Sequence, residues 1–464
     1  MLLVFSANRH EYYTRWFADA STRVYFYRTS PWHFMTHNHL HTRRNGLGRF
    51  FNTGLAIAFG DAFSLIAGAV FVICLARYSG AETLGIFSFV LALAGIAQTI
   101  CDAGFDITLP RSIGANASSA ARELNKAVGM KLILCAIVLP IVSVIALQKN
   151  PSFAEFSIIM IVDIVPSTLA YAYVCALRGL HQSAPAARIN AGYNGIPYLM
   201  AAGIAVWTQS LTLCAILLLL GDTLKLVHLQ RLFVRVAPST SAESSVSEKV
   251  SAQQQLQSLW SEQGSVTFVN IISSLLVRLP VVMLGWFGTD TLTGYYSAAA
   301  RFTTAARILP GAFLHSIIPH YSQPQADTPR IRSVLFSTTV VALGAGGILA
   351  ACAPLLVQWT FRFPESVVIL QILALSFIVL SIKTVLEGFL LATHHERVVT
   401  RILVVAAIFA IGGYRFAASS SPTAVAWCTV AVEFLCCSAF LIVLLQWSSA
   451  RKRERRELLR GESA

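Results

Sequence analysis

Apolar residues in this chain come in long unbroken runs, not in the spaced stripes of a soluble helix. Twelve runs have membrane-crossing length, about 20 residues or more. They cover roughly 51–77, 83–105, 126–148, 155–178, 185–207, 210–233, 264–287, 291–319, 332–360, 365–392, 398–418 and 421–447. Polar residues collect in the short breaks between them. The pattern predicts an all-α polytopic membrane protein of about 12 transmembrane helices. An even number of crossings puts both termini on one side.

The basic residues say which side. Seven Lys and Arg precede the first run and six follow the last. Arg111, Arg122, Lys126 and Lys131 flank the second connection, and the other even-numbered connections bring the total on the terminal side to 26. Only Arg77, Lys149, Arg362 and Arg415 fall on the other. Cytoplasmic connections carry the Lys/Arg excess, so both termini are expected in the cytoplasm.

Composition agrees. Of 464 residues, 55% are hydrophobic and 12% charged, where a soluble domain carries about 25% charged. A soluble enzyme, a disordered chain and a nucleic-acid module are excluded. The net charge of +13 is a topology signal, so no nucleic-acid partner is expected. All nine cysteines lie inside apolar runs without metal-ligand spacing, which suits small core residues. No metal and no cofactor are expected. His33, His37, His39 and His41 sit in a mixed polar segment without helical periodicity, and a metal role is not assigned to them.

The expected organisation is a cytoplasmic tail (1–49), a six-helix lobe (50–233), a Ser-, Gln- and Glu-rich cytoplasmic linker (234–263), a second six-helix lobe (264–447) and a basic tail (448–464). The two halves resemble each other. Gly80-Ala81-Glu82-Thr83-Leu84-Gly85 aligns with Gly288-Thr289-Asp290-Thr291-Leu292-Thr293-Gly294, with Thr293 as an insertion. His181 and Arg188-Ile189 align with His394 and Arg401-Ile402 at an offset of 213. Parallel six-helix repeats place a pseudo-two-fold axis along the membrane normal and a cavity between the lobes.

Leu75-Ala76-Arg77-Tyr78-Ser79-Gly80, Asp102-Ala103-Gly104-Phe105 and Gly294-Tyr295-Tyr296-Ser297-Ala298-Ala299-Ala300-Arg301 through Ile318-Pro319-His320-Tyr321-Ser322 carry a resemblance over about residues 48–447. The chain resembles the polysaccharide transporter family, Wzx-like O-antigen and exopolysaccharide flippases of the multidrug/oligosaccharidyl-lipid/polysaccharide exporter superfamily. The resemblance implies a rocker-switch fold of two pseudo-symmetric six-helix bundles. It also implies that the protein turns a polyprenyl-diphosphate-linked glycan across the cytoplasmic membrane, with membrane lipid and polysaccharide polymerase or export machinery as partners. One departure stands out: Arg278-Leu279-Pro280 occupies a place where the family often has Arg-x-Asp.

Ionisable groups inside spans are costly unless paired or wetted, and so mark function. Arg278 and Arg301 are the candidates for the diphosphate headgroup, because a guanidinium binds phosphate oxygens bidentately. Arg307 is a weaker candidate, since six residues along a helix turns it about 120° from Arg301. Asp61, Asp163 and Glu433 are candidates for ion coupling. Asp163 stands before Pro166, where helical hydrogen bonding is interrupted. Asp222–Lys225 (i,i+3) and Lys383–Glu387 (i,i+4) are expected to pair, and Asp102 and Asp106 to be solvated or to cap a helix.

The sequence has no Gly-rich phosphate loop on a soluble domain, no His-x-x-Glu-His type metal site and no outer loop to host a nucleophile, so an enzyme is not expected. A cation-coupled drug or metabolite antiporter on the same fold is the alternative. A glycan polymerase ranks behind both, because every expected outer connection is short. Met35 is an alternative start, and residues 1–34 are expected to be dispensable. Deleting them should leave glycan export intact; loss of export with normal membrane insertion would contradict this.

Overall fold

The computed structural model describes residues 43–238, 264–307, 328–393 and 395–461. The chain divides into two compact units, Met1–Asn52 and Thr53–Ala464, and the description below concerns the second. The histidine group, most of the expected N-terminal tail and most of the expected linker lie outside the described residues.

Among the described residues the secondary structure is helical, with no strand. The first half holds α1 (Arg43–Asp102), α2 (Phe105–Ala115), α3 (Ala120–Lys149), α4 (Ala154–Val162), α5 (Ile164–Gly179), α6 (Ser183–Trp207) and α7 (Leu211–Val236). The second holds α8 (Gly264–Phe287), α9 (Asp290–Ala306), α10 (Thr328–Ala351), α11 (Ala353–Thr360), α12 (Glu365–Ala392), α13 (Glu396–Ser420) and α14 (Pro422–Gly461). Among the described residues, nine helical stretches are long and apolar enough to cross a membrane. The first, Phe59–Ala115, has 57 residues, about 85 Å of helix if straight and nearly three times the bilayer core. It bends at Gly80, whose φ of 83° and ψ of 178° are non-helical. A side chain rarely adopts that φ, so glycine is needed at this corner. α6 is less apolar and α9 is short, at 17 residues, so both fall outside the nine, yet they occupy the fifth and eighth apolar runs. Every one of the twelve runs therefore contains helix.

The proline before the fourth break acts as expected. Pro166 has no N–H for the Val162 carbonyl, and the helix breaks at Asp163, between α4 and α5. Pro280 behaves differently, for α8 continues through it.

Three buried clusters hold the bundle. One is drawn wholly from residues of the second half, from Val269 to Leu444. Two come from the first half, with Ala298 and Phe361 of the second half buried in one of them. Trp207, Trp359 and Phe416 are 91, 74 and 79% exposed. They stand at helix ends on the side of Gly80 and Gly288, as an interfacial aromatic belt does.

The halves meet closely at that same end. A Cβ on Gly85 would strike the Asp290 carbonyl, and a Cβ on Gly294 would strike the Ala81 carbonyl. Residues 85 and 294, like residues 81 and 290, stand 209 apart, so the contact obeys the internal repeat. It also moves the inserted residue into the corner itself, at Thr289, not at Thr293. Around it, Lys149 Nζ donates to the Gly288 carbonyl at 3.4 Å. Arg77 donates to the carbonyls of Thr360, at 2.6 Å, and of Trp359. Phe361 ends α11 and is 4% exposed, packed edge-on against Phe302. In each half, then, the third-to-fourth connection crosses onto the other half's first corner.

Candidate functional site

The polar side chains that the spans carry converge between the halves. A cavity of about 470 Å³ is lined by Arg278 of α8, Arg301 and Arg307 at the end of α9, Lys383 of α12 and Glu433 of α14. Asp163 and Asp222 close it from the first half. Arg278 and Arg301 thus share one chamber, as the sequence suggests. Arg307 shares it too. Arg307 follows the last helical residue of α9, Ala306, as its C-cap, and it lines the chamber despite its rotation from Arg301.

Each cation is held differently. The Arg278 guanidinium lies against Gly95, where any Cβ would collide with it. It donates to the Ser274 hydroxyl one turn earlier, and Ser274 meets Thr99 of α1 at 2.8 Å. Gly95 therefore seats Arg278, a role that no charge-based search of the sequence would reveal. None of the described carboxylates lies within ion-pair distance of Arg278, Arg301 or Arg307. The Arg307 Nε is buried without a hydrogen-bond partner. Guanidinium groups without a carboxylate at ion-pair distance keep their donors free for an anion.

The acidic candidates separate. Glu433 is paired with Lys383 at 2.8 Å, which corrects the expected Lys383–Glu387 pair. The i,i+4 spacing was a weaker constraint than the close packing of α12 on α14, which brings Glu433 to the lysine. Glu387 instead accepts a 3.4 Å hydrogen bond from Ser273. Asp163 faces the chamber with a buried, unpartnered Oδ1. Asp61 lines a second cavity, also about 470 Å³, with Asp163, Asp222 and Lys225. The expected Asp222–Lys225 pair forms at 2.6 Å, and Lys225 also donates to Asn194 Oδ1 at 2.9 Å.

Two residues placed near a membrane surface by the sequence are interior. Lys131 has no exposed side-chain surface and pairs with Asp102, which also accepts from Thr168 at 2.5 Å. Asp102, part-buried with its side chain 18% exposed, is held in this pair and caps no helix. The reason is helix length: α3 starts at Ala120, three turns before Lys131, so the lysine lies inside the bundle. Breaking a buried pair by removing one partner costs about 3–5 kcal/mol. Lys131→Met should therefore lower the melting temperature strongly, and Lys131→Met with Asp102→Leu should recover part of the loss. Equal melting for the parental protein and Lys131→Met would contradict the pairing.

A third cavity, about 380 Å³, adjoins Asp102, Asp106, Tyr171 and Thr267. Gln98 borders all three cavities. Among the described residues, no group of three His, Cys, Asp or Glu side chains could hold a metal ion.

This is the architecture of a multi-pass helical membrane protein. The fold is similar to that of a multidrug resistance MATE family transporter of the MOP superfamily in an inward-facing conformation, with a TM-score of 0.68 at 13% identity over 84% of this chain and 95% of that one. It is similar to the lipid II flippase MurJ in an inward closed conformation, with a TM-score of 0.61 at 12% identity over 84% and 87%. An outward-facing MATE family transporter of the same superfamily gives 0.59 at 12% identity over 86% and 95%. No curated protein matches the sequence. The chain belongs to the polysaccharide biosynthesis protein family, whose model matches residues 53–325.

Proposed function

We propose that the protein flips a polyprenyl-diphosphate-linked oligosaccharide across the cytoplasmic membrane by alternating access, for surface polysaccharide biosynthesis. The observation that carries the reading is the chamber with Arg278, Arg301 and Arg307, none of which has a carboxylate within ion-pair distance among the described residues. A diphosphate crossing a bilayer needs its charge stabilised away from water, and guanidinium groups supply that. Membership of a polysaccharide biosynthesis family supports a glycan-linked cargo, and the likeness to exporters of known fold supports transport over catalysis. Asp61 and Asp163 are the coupling candidates; Glu433, neutralised by Lys383, is the weakest of the three. Polysaccharide polymerase or export machinery would receive the product.

In this reading the Gly80/Gly288 end is external and both termini are cytoplasmic. Reporter fusions at Ser210 and Thr289 should give external signals; cytoplasmic signals at both would overturn the topology. The function is tested in cells lacking the gene, by probing the leaflet of the lipid-linked glycan with an impermeant lectin. Loss of the protein should strand the glycan inside. The alternative, a cation-coupled drug or metabolite antiporter, draws support from the acidic cavity around Asp61 and Asp163. It would be favoured if the glycan still reached the outer leaflet while drug resistance fell.

A further inference from the structure

We infer that the cavity of the first half, walled by α1, α5, α6 and α7, is a sugar subsite that holds the residue adjoining the diphosphate and admits an uncharged sugar over a carboxylate-bearing one. The inference rests on the reading of the arginine chamber as a diphosphate site.

Four observations lead to it. The first is continuity. Gln98, Asp163, Ser167, Tyr198 and Asp222 line both this cavity and the arginine chamber. Leu218 is shared as well, so the two cavities adjoin and a ligand anchored by its phosphates in one lies beside the other.

The second is size. At about 470 Å³ the cavity is more than thirty times the 10–15 Å³ or so that a single water needs. A dehydrated cation needs a tight shell of oxygens at about 2.0–2.6 Å. Room on this scale suits a bulky polar group, not an ion.

The third is chemistry. Asn190, Asn194 and Gln98 bring amides that both donate and accept, and Tyr171, Tyr193 and Tyr198 bring hydroxyls on flat apolar rings. A sugar ring offers the complement, with hydroxyls that donate and accept around the rim and C–H faces above and below. The amides are pre-organised. Lys225 bridges Asp222 and Asn194, and Asn194 Nδ2 donates to Asn190 Oδ1 at 3.3 Å. The chain of bonds ends at Asn190, which lines the cavity and whose amide nitrogen has no acceptor among the described residues.

The fourth is charge. Asp61, Asp163 and Asp222 stand against one cation, Lys225, in this cavity. The second-half wall of the adjoining chamber has Arg278, Arg301, Arg307 and Lys383 against Glu433 alone. The pair of cavities is therefore polarised. Phosphate belongs at the arginine wall, and a sugar carboxylate would meet like charge in the acidic pocket.

The test uses the full-length protein in nanodiscs with three short-chain probes: farnesyl diphosphate, farnesyl-diphosphoryl-N-acetylglucosamine and farnesyl-diphosphoryl-glucuronic acid. Binding is read by native mass spectrometry. The N-acetylglucosamine probe should bind at least 10-fold more tightly than farnesyl diphosphate, and the glucuronic acid probe no more tightly. Asn190→Ala and Tyr193→Ala should each remove about 3- to 10-fold of the sugar's gain, the scale of one lost hydrogen bond. Both variants should bind bare farnesyl diphosphate as the parental protein does, which also shows that they fold. Bare diphosphate binding with no gain from the sugar would overturn the subsite and leave the flippase reading standing. No binding of bare diphosphate would overturn the flippase reading itself. A sodium-dependent thermal shift that Asn190→Ala abolishes, without sugar discrimination, would assign the cavity to a coupling cation and overturn the subsite.

Discussion

Arg278→Ala and Arg301→Ala should each leave the lipid-linked glycan stranded in the cytoplasmic leaflet at normal protein levels. Both guanidinium groups face one chamber and neither has a carboxylate within ion-pair distance, so their charge is available to a ligand. A hydrogen bond to a charged group contributes roughly 1.5–3 kcal/mol. Loss of one cation should slow transfer by about 10- to 150-fold, since each 1.4 kcal/mol is about tenfold. Lysine should rescue only partly, because it keeps the charge and loses the planar fork. Arg307→Ala should have a smaller effect, as Arg307 lies at the last turn of α9 and the other two cations remain. Gly95 provides an independent check. Gly95→Val keeps Arg278 but puts side-chain atoms where its guanidinium lies, and so should reproduce much of the Arg278→Ala defect. If both alanine variants insert correctly and export at the parental rate, these arginines do not carry the headgroup.

How far the sequence foretells this site depends on the kind of force involved. The spans were legible because a bilayer demands unbroken apolar runs, and the bounds at 264–287 and 365–392 match α8 and α12. The arginine chamber was legible because an intramembrane charge is rare enough to mark a site. Ion partners were less so. Asp222–Lys225 is local and followed from spacing, whereas Lys383–Glu433 and Lys131–Asp102 join different helices, and helix rotation in a bundle is not written in spacing alone. Gly95 carried no signal, since its function is to lack a side chain. Asn190, Gln98 and Tyr193 were missed because a search confined to ionisable groups passes over neutral hydrogen-bonding side chains. A signal was present: Asn190 and Asn194 stand four apart in the apolar run 185–207, hence on one helix face, where two amides need an explanation.

Gly85→Ala or Gly294→Ala should shift the protein toward a state open at the Gly80/Gly288 end. In the structure each glycine abuts a backbone carbonyl of the opposite half, Asp290 for Gly85 and Ala81 for Gly294. Backbone on a helix yields less readily than a side chain, so the halves themselves must part. Forcing one methyl group into a close-packed contact costs about 1–3 kcal/mol, enough to change a two-state ratio by about 5- to 150-fold. Ser297 lines the arginine chamber and is 4% exposed, which makes Ser297→Cys a suitable reporter in a background with the nine native cysteines replaced. An impermeant maleimide added from the external side should label it slowly in the parental background and at least 5-fold faster with either alanine. The two substitutions together should add little to one alone, because both relieve themselves by the same separation and contacts that share a movement are not additive. Transport should fall in all three variants even with Arg278 and Arg301 intact, since a transporter held open at one end cannot reload at the other. Equal labelling rates in the parental protein and both alanine variants would show that the paired glycines do not set the closure, and that Lys149, Arg77 and the buried Phe361 hold that end shut without them.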